Sequence, residues 1–395
     1  MSKNESLTPL KMLLFCFHAT NTIILSYLPI YLRYKGLDGT QIGWVLAVGP
    51  FAAIFSQPFW GYMSDKFKTV KWTLIICIIG LLISSSLFFQ MNELIAILLM
   101  GAVFYFFTTP IGALGDSLAQ RRADELHVNF GSIRMWGSIG FAVSSLIVGK
   151  VLTSIGVAYM IWPYLLFGTM ALIAAFRLTD VKVEADPIQL KDIKQILQNK
   201  PFFIFLFIVM FISISHRAND SFIGLYIEQL GGNETIIGLA WFFGVASEAA
   251  VFALAPLWFR KFHPLVFIMF AGLLYSVRYF IYAAVNDPVY LVPLQVLHGI
   301  TFGTFYLAAF QYISRLIPKL LQSTGHLVFY SLFFGVSGII GSLIGGALID
   351  SYGGGTLYAT VGGFALTGSI LLAIYHILPY GKAGTARQVK SQRFI

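Results

Sequence analysis

The most regular feature of the chain is the alternation of long apolar runs with short polar or turn segments. A helix needs about 20 mostly apolar residues to cross the hydrocarbon core of a bilayer, and twelve runs reach roughly that length. Their approximate bounds are 10–33, 41–62, 72–90, 93–119, 131–156, 158–177, 201–228, 236–258, 264–284, 288–313, 323–350 and 356–379. The pattern predicts an all-α membrane protein with twelve transmembrane helices.

Composition agrees with this prediction and excludes a large soluble domain. Hydrophobic residues make up 57% of the 395-residue chain and charged residues only 11%, whereas charged residues are about a quarter of a soluble protein. The sequence contains no P-loop, HExxH or GxSxG motif, so we expect no enzyme and no cofactor. Both cysteines, Cys16 and Cys77, lie within apolar runs. They offer no cysteine-built metal site, and no metal is expected.

The basic residues indicate the orientation in the membrane. The net charge is +9, but short clusters between apolar runs do not form the basic patch that nucleic acid requires. One alternating set of connections holds only Arg33, Lys35 and Lys150. The other set, with both termini, holds most of the remainder, including Lys66, Lys68, Lys71, Arg121, Arg122, Arg177, Lys200, Arg260, Lys261, Arg315 and Lys319. The positive-inside rule therefore places both termini in the cytoplasm.

One long polar connection divides the chain into two groups of six apolar runs. The predicted parts are a first bundle at 1–177, a cytoplasmic linker at 178–200, a second bundle at 201–381 and a cytoplasmic tail at 382–395. Within the linker, residues 187–199 suit either a short helix on the membrane surface or a solvated connection.

The two halves also repeat each other in sequence. A shift of 195 residues aligns Ile42-Gly43 with Ile237-Gly238, and a shift of 197 aligns Ser145-Leu146-Ile147 with Ser342-Leu343-Ile344. Nearly constant shifts indicate a parallel duplication, with two six-helix bundles related by a pseudo-two-fold axis along the membrane normal. In such an arrangement the binding site lies between the bundles, near the middle of the bilayer.

Several motifs carry a resemblance to a known family. They are Gly61-Tyr62-Met63-Ser64-Asp65-Lys66, Asp116-Ser117-Leu118-Ala119, the segment from Phe130 to Ser138, Glu248 with Val251-Phe252-Ala253-Leu254, and Arg278 followed by Leu297-His298. With these motifs the chain resembles the major facilitator superfamily, in particular the proton symporter branch for oligosaccharides, nucleosides and aromatic acids that contains the lactose permease. The resemblance implies alternating access in a bacterial cytoplasmic membrane, with a small-molecule substrate and protons as partners. We expect a monomer.

Four polar or charged residues of the second half share one depth in the membrane. Arg278 and His298 each lie ten residues from Pro288, which places both about 15 Å from one surface. Counted in the same way from other turns, Asp220 and Glu248 reach a similar level. A charge at this depth costs at least about 2.5–3.5 kcal/mol and is a candidate for function. The group favours a proton-coupling relay, with a structural ion network between helices as the alternative.

The first half offers candidate substrate contacts. Asp116 and Arg134 are each nine residues from Glu125, so they lie at equal depth on adjacent helices and can pair. The resemblance implies that such a pair contacts substrate and that Phe141 supplies an aromatic platform, although Phe141 also suits a core position. Further polar or aromatic candidates for the central cavity are His18, Asn21, Tyr27, Gln57, Tyr105, His216, Arg217, Asn219 and Tyr330. Of these we expect His18, Asn21 and Asn219 to contact substrate.

The motif between the second and third runs supplies candidate gating residues. Gly61, Asp65 and Lys66 lie at the cytoplasmic end of the second helix, where Asp65 can meet a helix N-terminus or nearby arginines in one state of the cycle. The sequence thus favours a proton symporter for a sugar, oligosaccharide, nucleoside or aromatic carboxylate. Two alternatives stay open: a proton antiporter that exports sugars or drugs, and a membrane sensor built on a transporter scaffold.

Overall fold

The apolar runs of the sequence form long helices. The computed structural model describes residues 6–180, 198–258, 263–318 and 321–378. Nearly all of the predicted linker segment 187–199, and the predicted tail 382–395, lie outside these residues. The helices of the first half are α1 (Thr8–Tyr34), α2 (Gly39–Lys66), α3 (Val70–Phe88), α4 (Leu94–Leu126), α5 (Phe130–Ile155) and α6 (Ile161–Phe176).

The second half follows the same plan with more irregular helices. It comprises α7 (Lys200–Gln229), α8 (Glu234–Trp258), α9 (Pro264–Ala284), α10 (Val296–Leu316), α11 (Gln322–Tyr330, continued through Ser331–Val336 and Ser337–Ser351) and α12 (Gly353–Ile377). The middle piece of α11 is π-helical. A short helical segment, Pro288–Leu294, precedes α10 and makes an angle of 42° with it.

The predicted twelve spans are confirmed within the described residues. Eleven helices are long and apolar enough to cross a membrane, and the bent pair before and within α10 supplies the twelfth. Two bounds differ from those predicted. Helix α4 continues to Leu126 instead of ending near 119, because its last turns are polar and extend the helix beyond the apolar run. The tenth span is broken rather than continuous from 288, with Pro293 immediately before the bend.

Local sequence fixes where several helices begin and end. The side chain of Asp38 accepts a hydrogen bond from the backbone N–H of Gln41 at 2.7 Å and caps α2, and Asn199 caps α7 in the same way through Phe202. Such caps satisfy N–H groups that have no partner within the helix. Helix α7 ends before Gly231, whose positive φ of 85° suits glycine.

The same helix pairs pack in both halves. In the first half α1 packs on α5 and α6, and α2 packs on α4. The counterparts in the second half are α7 with α11 and α12, and α8 with α10. The repeat in sequence therefore corresponds to a repeat in helix packing. Between the halves, α2 crosses α11 and α5 crosses α8.

The two crossings between the halves use equivalent small residues. A Cβ atom on Gly43 of α2 would lie 2.5 Å from the carbonyl oxygen of Ser342 on α11. A Cβ atom on Gly238 of α8 would clash with the carbonyl oxygen of Ser145 on α5. Gly43 and Gly238, like Ser145 and Ser342, are the residues that the sequence repeat aligns. Glycine therefore allows the backbones of the two halves to touch at symmetric positions.

Hydrogen bonds reinforce these crossings at one face of the molecule. We name it the opposite face, since it lies away from the linker face, where α1 and α7 begin and α6 ends. The N–H of Gly39 donates to Asp350 at 3.2 Å, and the N–H of Thr235 donates to Thr153 at 3.0 Å. Each bond caps the start of a helix in one half with a side chain from the other half. The halves are therefore closed together at the opposite face.

Enlarging a crossing glycine should open this closed face. We expect Gly238→Leu to separate the halves, because the new side chain has no space against the backbone of α5. Distances between spin labels attached through Tyr34→Cys and Tyr352→Cys, on different halves, should lengthen. Gly363→Leu is the matched control, since a Cβ atom there meets nothing within 4 Å. Unchanged distances in Gly238→Leu would show that the crossing does not hold the face closed.

Candidate functional site

A cavity of about 360 Å³ lies between the two halves at mid-height of the helices. Its walls come from α1, α2, α4 and α5 of the first half and from α7 and α11 of the second. The lining includes His18, Asn21, Asp116, Arg134 and Arg217. The size falls in the range of small-molecule sites, about 300–1,000 Å³. Four of the six predicted substrate contacts therefore line one cavity.

Asp116 and Arg134 meet in this cavity as their spacing predicts. The Nε atom of Arg134 lies 2.8 Å from Oδ1 of Asp116, and the two side chains are 32% and 38% exposed. The N–H does not point at the oxygen, so this contact is an ion pair without an aligned hydrogen bond. Such a pair can open toward a ligand and then offers donors from the arginine and acceptors from the aspartate.

His18 lies against this pair. A Cβ atom on Gly137 would sit 2.6 Å from Nη1 of Arg134 and would also clash with the His18 ring. The glycine at 137 therefore leaves the space in which both side chains approach α5. The Nε2 atom of His18 is buried and has no hydrogen-bond partner among the described residues. It is a further polar group available at the wall of the cavity.

Phe141 lies elsewhere, at the crossing of α5 and α8. Its ring centroid is 5.7 Å from that of Trp241, and its carbonyl oxygen accepts a hydrogen bond from Thr22 at 3.2 Å. Two turns along α5 from Arg134, the helix already contacts the other half, so the side chain packs between helices and does not line the cavity. Instead Tyr330 and Phe334 of α11 provide aromatic faces there, with ring centroids 4.4 Å apart.

Asp220 is the centre of a buried cluster on α7. Its Oδ2 atom lies 3.0 Å from Nη1 of Arg217 and 3.2 Å from Nε2 of His216. The Nδ1 atom of His216 is 3.0 Å from the hydroxyl of Tyr275 on α9, and its ring stacks on Phe302 of α10. The spacing of residues three and four positions apart on one helix brings these groups together.

Asn219 faces away from the cavity lining. Its side-chain oxygen accepts a hydrogen bond from the hydroxyl of Tyr358 on α12 at 3.3 Å. Its amide also lies 3.5 Å from Asp220. The structure therefore places this predicted substrate contact behind Asp220, where it ties α7 to α12.

Arg278 and His298 meet as their equal depth predicts. Nη1 of Arg278 lies 3.4 Å from Nδ1 of His298, and Nη2 donates to Gln295 at 2.8 Å. Tyr282 accepts from Nε at 3.0 Å, and the rings of Tyr279 and Tyr282 lie against the guanidinium. Within the described residues no carboxylate lies at ion-pair distance from Arg278. Its charge is balanced by neutral acceptors and ring faces.

Glu248 lies on α8 where α10 crosses it, and the missing side chain of Gly299 makes room for its backbone. In the described part of the chain Glu248 forms no ion pair or hydrogen bond. The two acidic residues that the sequence singles out in the second half therefore differ, because Asp220 has ion-pair contacts with Arg217 and His216 and Glu248 has none among the described residues.

The cluster on α7 also has the spacing of a metal site. Ligand atoms of His216, Asp220 and His298 lie within 4.8 Å of one another. However, Arg217 contacts the same oxygen of Asp220, and Arg278 contacts His298. Two guanidinium charges beside these ligand atoms repel a cation. The arrangement therefore favours hydrogen bonding over metal binding.

Two of the three predicted gating residues line a second cavity at the linker face, of about 270 Å³. Gly61 and Asp65 of α2 line it together with Arg121 of α4. The side chain of Lys66 instead covers the rings of Tyr62 and Phe67. Asp65 thus faces the arginine of the α4–α5 hairpin region that the sequence motif suggests.

Comparison with known proteins identifies the family. The MFS_1 like family matches residues 7–360. The uncharacterized transporter YwbF of Bacillus subtilis (strain 168) is 30% identical over 369 residues, which is 90% of each chain. The maltose permease of Geobacillus stearothermophilus is 28% identical over 355 residues, 88% of this chain and 89% of the permease.

A solved structure shares the fold. The nucleoside transporter NupG superposes with a TM-score of 0.85 at 18% identity, over 94% of this chain and 99% of NupG. The resemblance to major facilitator transporters and the twelve-helix fold are thereby confirmed. The chain belongs to the MFS_1 like family, and it is a multi-pass membrane transporter of small molecules rather than an enzyme.

Proposed function

We propose that the protein is a proton-coupled symporter that carries a small polar organic solute by alternating access. The observation that carries this proposal is the cavity between the halves, with the Asp116–Arg134 pair in its wall. The solute belongs to the sugars or oligosaccharides, the nucleosides or the aromatic carboxylates. The site is built from one chain, which fits a monomer.

Charge balance in the cavity favours a neutral solute among these classes. Each cavity arginine already has its own aspartate, Asp116 for Arg134 and Asp220 for Arg217. A carboxylate would therefore enter a site without a spare positive charge to offset its loss of hydration. Hydroxyl groups, in contrast, match the mixed donors and acceptors of the walls. The maltose permease among the relatives agrees with a sugar.

The closed opposite face supports one orientation of the protein in the membrane and one state of its transport cycle. The positive-inside rule supports a cytoplasmic location of the linker face in a bacterium, with both termini on that side. The crossings of α2 with α11 and of α5 with α8 then close the outer side. With this orientation, we propose that the closed face is the outer one and that the cavity is reached from the cytoplasm, as in an inward-facing state.

Uptake into proteoliposomes tests the proposal. Labelled maltose, sucrose and uridine are offered under an imposed pH gradient. A symporter concentrates its solute with an inward proton gradient, an antiporter needs the opposite gradient, and a sensor concentrates nothing. A thermal-shift screen with further solutes extends the panel, because a ligand raises apparent stability according to its affinity and concentration.

The Asp116–Arg134 pair should contribute to binding more than to stability. Both side chains are about one-third exposed to the cavity, so losing one partner costs the free energy of unfolding about 1 kcal/mol or less. Asp116→Ala and Arg134→Ala should each weaken solute binding by about tenfold or more. Binding assays and thermal unfolding measure the two effects. Recovery of uptake in the double variant would mean that the pair is only structural.

Glu248 is the better candidate for the coupling proton, because Arg217 and His216 hold Asp220 while Glu248 has no such partner. Glu248→Gln mimics the protonated side chain. It should abolish accumulation driven by a pH gradient and preserve binding and counterflow exchange, which needs no proton release. Asp287→Asn, in a loop at the opposite face, is the control.

The comparison with helix α7 completes this test. If Glu248→Gln still accumulates solute while Asp220→Asn does not, the coupling site belongs on α7. The remaining groups, Arg278 and His298, would then act as a structural network around it.

Asp65 should influence the rate of cycling. Together with Gly61 and Lys66 it belongs to the motif at the cytoplasmic end of α2, where it faces Arg121 across a cavity. Asp65→Asn removes the charge that can meet arginine or a helix N-terminus when this side closes. We expect slower exchange with affinity changed by only about threefold or less. Loss of binding at an unchanged exchange rate would contradict a gating role.

A further inference from the structure

Arg217 reaches the central cavity from the second half. Its side chain is 17% exposed and lines the cavity from α7. In the sequence it is one of many polar candidates. The structure gives it a distinct environment, because its guanidinium is held on two sides and free on a third.

Two contacts fix the orientation of this guanidinium. Nη1 lies 3.0 Å from Oδ2 of Asp220, and the ring of Phe334 packs against the guanidinium with its centroid 5.6 Å away. Asp220 is in turn held by His216 at 3.2 Å. An arginine fixed in this way loses little conformational entropy when it binds a ligand.

The third side carries an unused donor. Nε of Arg217 is buried and has no hydrogen-bond partner among the described residues. Gly338 of α11 lies beside this edge, since a Cβ atom there would be 3.6 Å from Nε. Buried donors are nearly always paired, and an exception needs an explanation. A ligand in the cavity supplies one.

The π-helical segment of α11 builds the neighbouring wall. Phe333 and Phe334 are consecutive, yet Phe333 packs on His216 with centroids 5.3 Å apart while Phe334 covers Arg217. The π-helical segment Ser331–Val336 contains both, and such segments occur frequently at functional sites. Tyr330, 4.4 Å from Phe334 between centroids, continues the aromatic surface into the cavity.

We propose that Arg217 and the rings of Phe334 and Tyr330 form a second solute subsite. The Nε–Nη2 edge of Arg217 donates to two neighbouring oxygens of a neutral solute, such as adjacent hydroxyls of a sugar ring, and the rings pack on its C–H face. Asp220 is a positioning residue that orients the arginine. The inference rests on the proposed function. With Arg134 on the other wall, the solute contacts both halves at once.

Exchange assays with Arg217→Lys and Arg217→Gln test the subsite. In proteoliposomes, each variant should raise the KM for exchange of whichever of maltose, sucrose and uridine the wild type exchanges, by about tenfold or more. Lysine should raise KM nearly as much as glutamine does, because a point charge cannot replace the planar pair of donors. Arg177→Gln, at the exposed end of α6, is the matched control.

The exchange outcomes separate the possibilities. If Arg217→Lys keeps KM within about twofold of wild type while Arg217→Gln does not, binding depends only on the positive charge at this position. The proposed pair of hydrogen bonds to neutral oxygens is then wrong. If neither variant changes KM, Arg217 is not a subsite. If the wild type exchanges none of the three solutes, the neutral solute class of the proposed function fails, and a second measurement decides the status of Arg217.

That measurement uses phenylglyoxal, which adds to accessible guanidinium groups, with mass spectrometry to locate the labelled arginines. Arg217 and Arg134 should be labelled through the cavity. Arg278, fully buried with its edges occupied, should not be. Asp220→Asn should speed labelling of Arg217 and raise the KM for exchange with little effect on the maximal rate. An unlabelled Arg217 beside a labelled Arg134 would overturn the proposal.

Discussion

A charged side chain within the bilayer has to be compensated by the protein, because the hydrocarbon offers no partner. Arg134, Arg217 and Arg278, which lie within transmembrane helices, satisfy this constraint in different ways. Arg134 pairs with Asp116 across α4 and α5, and Arg217 pairs with Asp220 on its own helix. Arg278 has neutral acceptors and aromatic faces. Where the partner is on another helix, as for Arg134 and Arg278, the contact also holds two helices together within the membrane.

The partners of each of these arginines determine whether a solute can also bind to it. Arg278 uses its nitrogens on Tyr282, Gln295, His298 and Thr301 and is fully buried, so a solute has no edge to approach. Arg134 and Arg217 each have one aspartate and stand at the cavity. A ligand can share an arginine with a single aspartate at much smaller cost than it can displace a complete network. The proposed solute contacts are therefore the arginines that have only one charged partner, Arg134 and Arg217.

The same distinction explains what the sequence could predict. Counting residues from a hairpin gives depth, because the helical rise is constant, and it correctly brings Asp116 to Arg134 and Arg278 to His298. The sequence repeat aligns Gly43 with Gly238, but only the structure shows that both lie where the halves cross. Depth does not give direction around the helix axis. For that reason the sequence could not show that Phe141 lies between α5 and α8 or that Asn219 contacts α12. Both positions follow only from the tertiary contacts.

Arg217 illustrates a second limit of sequence reasoning. Its spacing of three residues from Asp220 predicts the ion pair. The packing of Phe334 on its guanidinium, however, depends on a π-helical segment of α11 that no residue pattern in the chain predicts. The unpaired Nε beside Gly338 is likewise visible only in the tertiary contacts. Helix α11 contributes both to the wall of the cavity and, through Ser342 and Gly346, to the crossing with α2.

That double role links binding to conformational change in the proposed cycle. The crossings at Gly43 and Gly238 hold the halves together at one face by close backbone contact, with equivalent residues on each side. The cavity arginines lie on different halves, one on α5 and one on α7. A solute held by both draws the halves together at mid-depth, whereas an empty cavity leaves each arginine to its own aspartate. Since α11 carries one crossing and one aromatic wall, a shift of this helix that opens the closed face also changes the surface on which the solute rests.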